Sequence, residues 1–281
     1  MASSMPSPKN YFIVLFPCLQ HLDWSGPADI LSMVPKTPHP DNDITVTLIA
    51  ESLNPVNVAP VPPRGASWTF EALAELTSSS SSRIPGSGIN ILTMPQITFT
   101  DTLNQLKEKG TVSVDNQELT LDVLLIPGGI GTRMFRIDKD GSRTSNIAPA
   151  VEFVKSVCEQ GFLRSAVLTV CTGSDLFART GLLDGRRATT NANAFDKVAA
   201  KHEGVKWLKR RRWVRSKVSE SGNRGLNKEI WTSAGISAGM DLMLHFLKEV
   251  YGDEFATSVG RKLEYEWRKD VGEGEVDPYY S

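Results

Sequence analysis

Apolar residues in this chain gather in short blocks separated by glycine, proline, threonine and serine. Tyr11–Phe16 (YFIVLF), Ile44–Ala50 and Leu121–Ile126 form three such blocks, Ala166–Val170 a fourth and Glu229–Ser233 a fifth. Runs that are apolar on both faces suit strands of a parallel sheet covered by helices. Between them the period changes. Ala148–Gln160 places Val151, Val154 and Cys158 on one helical face, and Gly161 supplies a stop. Ala28–Met33, Ser174–Leu183 and Ala238–Val250 read as further helices. Strands alternating with helices predict an α/β layered sandwich with a mainly parallel sheet.

Two regions interrupt the alternation, and both are expected to be insertions. Residues 55–98 hold five prolines before position 86 and the serine run Ser78–Ser82, which predicts a long surface loop. Residues 205–228 carry a basic cluster with Trp207 and Trp213. Aromatic and basic residues together can bind a nucleic acid strand. The preferred reading is a twisted β-hairpin with both tryptophans packed inward and the Lys and Arg side chains in water.

Composition narrows the setting. The 281 residues suffice for one large α/β domain, and a net charge of -1 argues against nucleic acid or acidic lipid as the main partner. Cys18, Cys158 and Cys171 are too few and scattered for a disulfide framework, and no C-x-x-C pair suggests zinc. A reducing cytoplasm fits best. No stretch reaches 18 apolar residues, so no membrane span is expected, and the polar N-terminus does not read as a signal peptide.

Three features carry candidate chemistry, each at the carboxyl end of an expected strand, where open parallel sheets gather their sites. Thr169-Val170-Cys171-Thr172-Gly173 imitates a nucleophile elbow with cysteine in the serine position. A helix N-terminus behind it would favour the thiolate, and the Thr172 amide would face developing negative charge. A buried cysteine is otherwise a small hydrophobe, and the motif alone leaves both roles open. Ile126-Pro127-Gly128-Gly129-Ile130-Gly131 is the second feature, a turn that can present N–H groups but lacks the spacing of a phosphate-binding loop. The third is Leu22-Asp23-Trp24-Ser25-Gly26-Pro27, where Asp23 is either a turn aspartate or a site carboxylate ahead of the helix Ala28–Met33.

Together with LLIPGGIG, VCTGSDLFARTGLLDGRRATT and WTSAGISAGMDLMLHFL, these blocks make the chain resemble the ThiJ/PfpI superfamily, class I glutamine amidotransferase-like, over about Phe12 to Leu247. The isocyanide (isonitrile) hydratase branch is the most similar. The resemblance implies a flavodoxin-like three-layer α/β/α sandwich forming a single domain over 1–281. It also implies a homodimer acting on a small molecule with no metal or other cofactor. Cys171 matches the nucleophile, Asp23 the carboxylate beside it, and Gly129 and Thr172 the backbone donors. Gly128, Ile130, Asn191, Ile236 and Ser237 are expected to line the substrate pocket. Thr172 stands where protease-like members carry histidine, which counts against a peptidase. Asn191-Ala192 replaces the His-Trp of many hydratase-like relatives.

The chemistry expected of this set is covalent hydration by Cys171 with Asp23 moving protons, its pKa raised by a partly dry pocket. None of His21, His39, His202 and His245 has an evident path to the thiol. A glyoxalase-like lyase acting on small carbonyl compounds and a non-enzymatic cysteine redox sensor would draw on the same residues.

Overall fold

The strand Asn10–Val14 (β1) runs through the middle of a seven-stranded sheet and is buried from Tyr11 onward. The computed structural model describes residues 7–58, 91–137, 142–220, 226–270 and 275–280. The other strands of this sheet are β2 (Thr45–Ala50), β3 (Ile97–Thr98), β4 (Val123–Ile126), β5 (Ala166–Thr169), β6 (Trp213–Ser216) and β7 (Glu229–Ser233). Their spatial order is β6-β7-β5-β4-β1-β2-β3, parallel throughout except for β6 at one edge. Strands β4 and β5 are buried along their whole length, as their unbroken apolar sequence requires.

Register decides where the loops emerge. Thr169 of β5 pairs with Ile126 of β4 on one side and Thr232 of β7 on the other. The segments after these three strands therefore leave the sheet at the same edge. The segment after β1 joins them there, because the Gln20 N–H donates to the Gly128 carbonyl at 2.8 Å and the Gly131 N–H to the Cys18 carbonyl at 2.9 Å.

Seven helices flank the strands among the described residues: α1 (His21–Ser32), α2 (Phe99–Lys109), α3 (Ala148–Glu159), α4 (Gly173–Ala178), α5 (Phe195–Lys201), α6 (Ala238–Tyr251) and α7 (Asp253–Lys262). Five differ from the sequence expectation. Helix α1 starts seven residues earlier than Ala28, so Asp23 lies within its first turn and Pro27 inside it. Pro27 has no N–H to return to the Asp23 carbonyl one turn earlier. Helix α4 ends at Ala178 rather than Leu183, because the Thr180 hydroxyl donates to the Phe177 carbonyl and Gly181 takes φ +78°. Helices α2, α5 and α7 are absent from the sequence expectation. Phe99 of α2 stacks on Phe153 of α3, with ring centroids 4.7 Å apart.

The two expected insertions also change. Residues 59–90 of the 55–98 stretch lie outside the described residues. Its flanks, Val56–Val58 and Ile91–Thr93, pair antiparallel, and Ile97–Thr98 forms the sheet edge. The 205–228 stretch is not a hairpin. Lys206–Trp207 pairs in parallel with Arg187–Ala188, whereas Trp213–Ser216 pairs antiparallel with β7. Trp213 is buried, stacked on Trp231 at 5.3 Å, while Trp207 is half-buried against Phe195. Nor are all its cations in water. Arg212 is buried, bonded to Asp241 of α6, 3.5 Å from Asp277, and 3.4 Å from the Ser237 hydroxyl.

Candidate active site

Cys171 occupies a left-handed turn, with φ +58°, immediately after β5. A non-glycine residue held there costs about 1–3 kcal/mol, so the surroundings must impose it. They do so from several sides. The Cys171 N–H donates to the Ser233 carbonyl at the end of β7 at 3.2 Å, and the Gly173 N–H donates back to the Val170 carbonyl at 2.9 Å. The Cys171 carbonyl accepts from the Ser174 hydroxyl at 3.0 Å and from the Thr190 hydroxyl at 3.1 Å. Thr190 was not foreseen, since nothing local in the sequence shows that the segment after Ala188 returns to the elbow.

The glycine-rich turn after β4 closes on this elbow. A Cβ on Gly128 would collide with the Thr172 amide nitrogen, and one on Gly173 with the Ile126 carbonyl. Only glycine allows this approach. The Gly129 N–H, expected to face substrate, donates instead to the Thr172 hydroxyl oxygen at 3.0 Å. Thr132 joins the same cluster, its hydroxyl 3.2 Å from that of Thr172. Gly129 therefore braces the elbow. The Thr172 amide bears on the Cys171 sulfur.

Asp23 reaches the site from α1. Its side chain is fully buried, and Oδ2 accepts the Gly128 N–H at 2.9 Å. Oδ1 is buried without a hydrogen-bond partner. The Cys171 thiol bears on the carboxyl as well. Burial raises the Asp23 pKa from 3.8 to about 7, outweighing the Gly128 N–H and the thiol, which favour the anion. Burial, and then the Asp23 charge, push the Cys171 thiol up to about 12. The Thr172 amide, the Asn191 side chain and the Thr172 hydroxyl pull the other way and do not prevail. Burial and the neighbouring carboxylate thus favour the protonated thiol over the expected thiolate.

The remaining candidates are dispersed around this centre. Asn191 caps the turn Ala192–Ala194, its Oδ1 accepting the Asn193 and Ala194 N–H groups at 3.0 and 3.3 Å. Ile130 follows Gly129 and is 41% exposed. Ile236 is half-buried and Ser237 exposed, in the turn between β7 and α6, where Gly239 packs on Val170. The Ser237 hydroxyl is already engaged by Arg212.

All four histidines find partners away from the sulfur. His202 bonds Asp175 at 2.8 Å, and Asp175 also holds Arg179 at 2.9 Å. His21 bonds Ser25 at 3.1 Å, and His39 accepts the Asp41 N–H at 3.1 Å and packs on Tyr251 and Phe255. Burial lowers the pKa of His245, among Trp213 and Trp267, to about 4.

A parallel sheet carrying a strained cysteine elbow, a glycine turn packed on it and a buried carboxylate beside the thiol defines a cysteine-elbow α/β protein. The profile of the DJ-1/PfpI family matches residues 100–249, and the chain belongs to that family. It is 28% identical over 252 residues to the isonitrile hydratase of Pseudomonas putida, spanning 90% of this chain and 76% of that protein. It is also 28% identical over 172 residues to the HTH-type transcriptional regulator GbdR of Pseudomonas aeruginosa, but that match covers 61% of this chain and only 39% of the regulator. Among solved structures, a ThiJ/PfpI family protein from Pseudomonas syringae superposes with a TM-score of 0.54 at 20% identity, covering 93% of this chain and 76% of that one. Drosophila melanogaster DJ-1beta superposes with a TM-score of 0.52 at 15% identity, covering 92% and 100%. These likenesses establish the flavodoxin-like family fold. The family holds both enzymes and regulators.

Proposed function

We propose that this protein is a cysteine-dependent hydro-lyase that hydrates an isocyanide to an N-substituted formamide. The observation that carries the reading is the pairing of Asp23 with Cys171 in a buried site, with the carboxyl pKa raised to about 7. Such a group can take and return a proton at neutral pH. Similarity to an isonitrile hydratase over 90% of the chain supports the choice of substrate class.

The resting thiol gives its proton to the Asp23 carboxylate as sulfur attacks the terminal isocyanide carbon. Asp23 returns that proton to the same carbon, giving a thioimidate with one C–S and one new C–H bond. Water then adds to the thioimidate carbon, with Asp23 accepting its proton. Collapse breaks the C–S bond and delivers one proton to nitrogen and one to sulfur. The products are a formamide and free Cys171, with no net redox change. The Thr172 amide supports the anionic sulfur. Gly128, Ile130, Asn191, Ile236 and Ser237 form the substrate surroundings in this reading. The same reading takes the protein as a cytoplasmic homodimer, which sedimentation and cell fractionation test.

A peroxide-sensing role has less physical support, because sensing requires an accessible thiolate, whereas Cys171 is buried and its burial pushes the thiol pKa up. Side-by-side incubation with an aryl isocyanide and with methylglyoxal tests the assignment. Formamide from the first and no turnover of the second is expected. The opposite result would move the protein to carbonyl chemistry.

A further inference from the structure

Thr132 is fully buried, and its hydroxyl lies between the glycine loop and the cysteine elbow. It is 2.9 Å from the Gly129 carbonyl oxygen and 3.2 Å from the Thr172 hydroxyl oxygen. Thr172 in turn accepts the Gly129 N–H at 3.0 Å, and its hydroxyl is 3.2 Å from the Gly129 carbonyl. Each hydroxyl carries a single proton. The two hydroxyl protons and the Gly129 N–H thus meet two hydroxyl oxygens and one carbonyl oxygen, a closed set in which every proton has an acceptor. In a buried site the members of such a set strengthen one another.

The set is anchored on both sides. Arg179, the residue after α4, donates to the Thr132 carbonyl at 2.8 Å and to the Ser145 hydroxyl at 3.1 Å, and it pairs with Asp175 of α4 at 2.9 Å. Helix α4 therefore grips the loop through Thr172 before its first residue and Arg179 after its last. Across the loop, a Cβ on Gly129 would lie 2.4 Å from the Gln20 nitrogen, so the Gly129 peptide is confined there too. The neighbouring Gly128 N–H is the group that holds Asp23 Oδ2.

We infer that Thr132 is a positioning residue for the proposed hydration, whose hydroxyl fixes the elbow of Cys171 and Thr172 against the loop that holds the Asp23 carboxyl. Thr132 acts through Thr172 and Gly129 and touches neither reacting group. Its effect is on the spacing across which the thiol proton passes to Asp23. This deepens the proposed hydration and rests on its pairing of Cys171 with Asp23, though the state of the Gly129 peptide can be read without any substrate.

Thr132→Val removes the hydroxyl and keeps the shape, whereas Thr132→Ser removes the methyl group and keeps the hydroxyl. The full-length proteins are compared by steady-state kinetics with an aryl isocyanide and by residue-resolved amide hydrogen exchange. For Thr132→Val, kcat is expected to fall roughly ten- to a hundredfold, as when reacting groups are misplaced, with KM unchanged. The Gly129 amide should exchange roughly five- to thirtyfold faster, the effect of one lost buried hydrogen bond. Ile13, buried in β1, should keep its protection. Thr132→Ser should restore both kcat and the Gly129 exchange. A Thr132→Val protein with the parent's kcat, or with a lower kcat and unmoved Gly129 exchange, would overturn the inference. So would equal acceleration at Gly129 and Ile13, which marks general destabilisation, or a Thr132→Ser protein as slow as Thr132→Val. Should Thr132→Val fail to fold, Thr132→Ala is read in the same way. If neither folds, the hydroxyl is structural and the inference is likewise overturned. A parent protein that turns over no isocyanide would remove the hydratase reading, and the Gly129 exchange then decides the inference alone. An active hydratase whose kcat and exchange are unmoved in Thr132→Val would keep that reading and lose the inference.

Discussion

Asp23 and Gly128 lie 105 residues apart in the chain, yet the Gly128 N–H donates to Asp23 Oδ2 at 2.9 Å in the buried floor of the site. The bond ties the first turn of α1 to the loop after β4, and the same glycine packs on the Thr172 amide. One loop therefore positions both the Asp23 carboxyl and the Cys171 elbow.

The Asp23 carboxylate must be free to accept the thiol proton, so kcat/KM for hydration is expected to rise with pH through an inflection near 7. A His202→Gln variant should keep that inflection, because His202 is bonded to Asp175. A pH–rate profile of both proteins checks this, and an inflection that vanishes in His202→Gln would transfer the titrating role to the imidazole.

Asp23 should also cost the protein stability in its charged form. Its folded pKa of about 7 lies above the value of 3.8 expected when unfolded. Between these values the native state keeps a proton that the unfolded chain has released, so stability falls as pH rises across the window. The loss is complete above the folded pKa and amounts to roughly 4 kcal/mol at most. Asp23→Asn keeps an oxygen for the Gly128 N–H and removes this penalty. It should be more stable than the parent at pH 8, with little difference at pH 4, while hydrating isocyanide far more slowly. Urea unfolding at the two pH values measures the difference, which the account requires to depend on pH.

Gly128→Ala places a methyl group against the backbone of Thr172 and Gly173. Neither neighbour is a flexible side-chain end, so the loop or the elbow must move. A destabilisation of about 1–3 kcal/mol is expected, together with loss of most activity. Thermal unfolding and turnover of the same sample separate the two effects.

Arg212 sits between two fully buried carboxylates, Asp241 and Asp277. Arg212→Met would leave both without their shared cation, although Asp277 retains Arg268 at 3.0 Å. Removing one partner from a buried ionic cluster costs about 3–5 kcal/mol. A shift of that size in the urea midpoint is expected, partly recovered at low pH as the carboxylates protonate.

The sheet was legible because β4 and β5 are apolar on both faces, and such runs announce buried parallel strands without reference to their partners. Cys171 could be placed at a strand end for the same reason. Other features depend on distant partners. Trp207 and Trp213 lie close together in the chain, but Trp213 belongs to a strand registered against β7, while Trp207 pairs beside Arg187. That division is set by the stacking of Trp213 on Trp231 rather than by local pattern. Helix α2 was hidden behind the proline- and serine-rich stretch, although Thr98 caps it by accepting the Asp101 N–H at 3.0 Å. At the site, the sequence identified Cys171, Asp23 and the glycine turn as candidates. Which amides remain free was not readable, because the Gly129 N–H is taken by a side chain 43 residues away.

The central claim is that isocyanide carbon bonds to Cys171 during turnover, and formamide production by Cys171→Ala tests it most directly. The variant should fold, since alanine retains most of the buried contacts of the cysteine, and it should release no formamide above the uncatalysed rate. Formamide released by folded Cys171→Ala at the parent's rate would contradict the account.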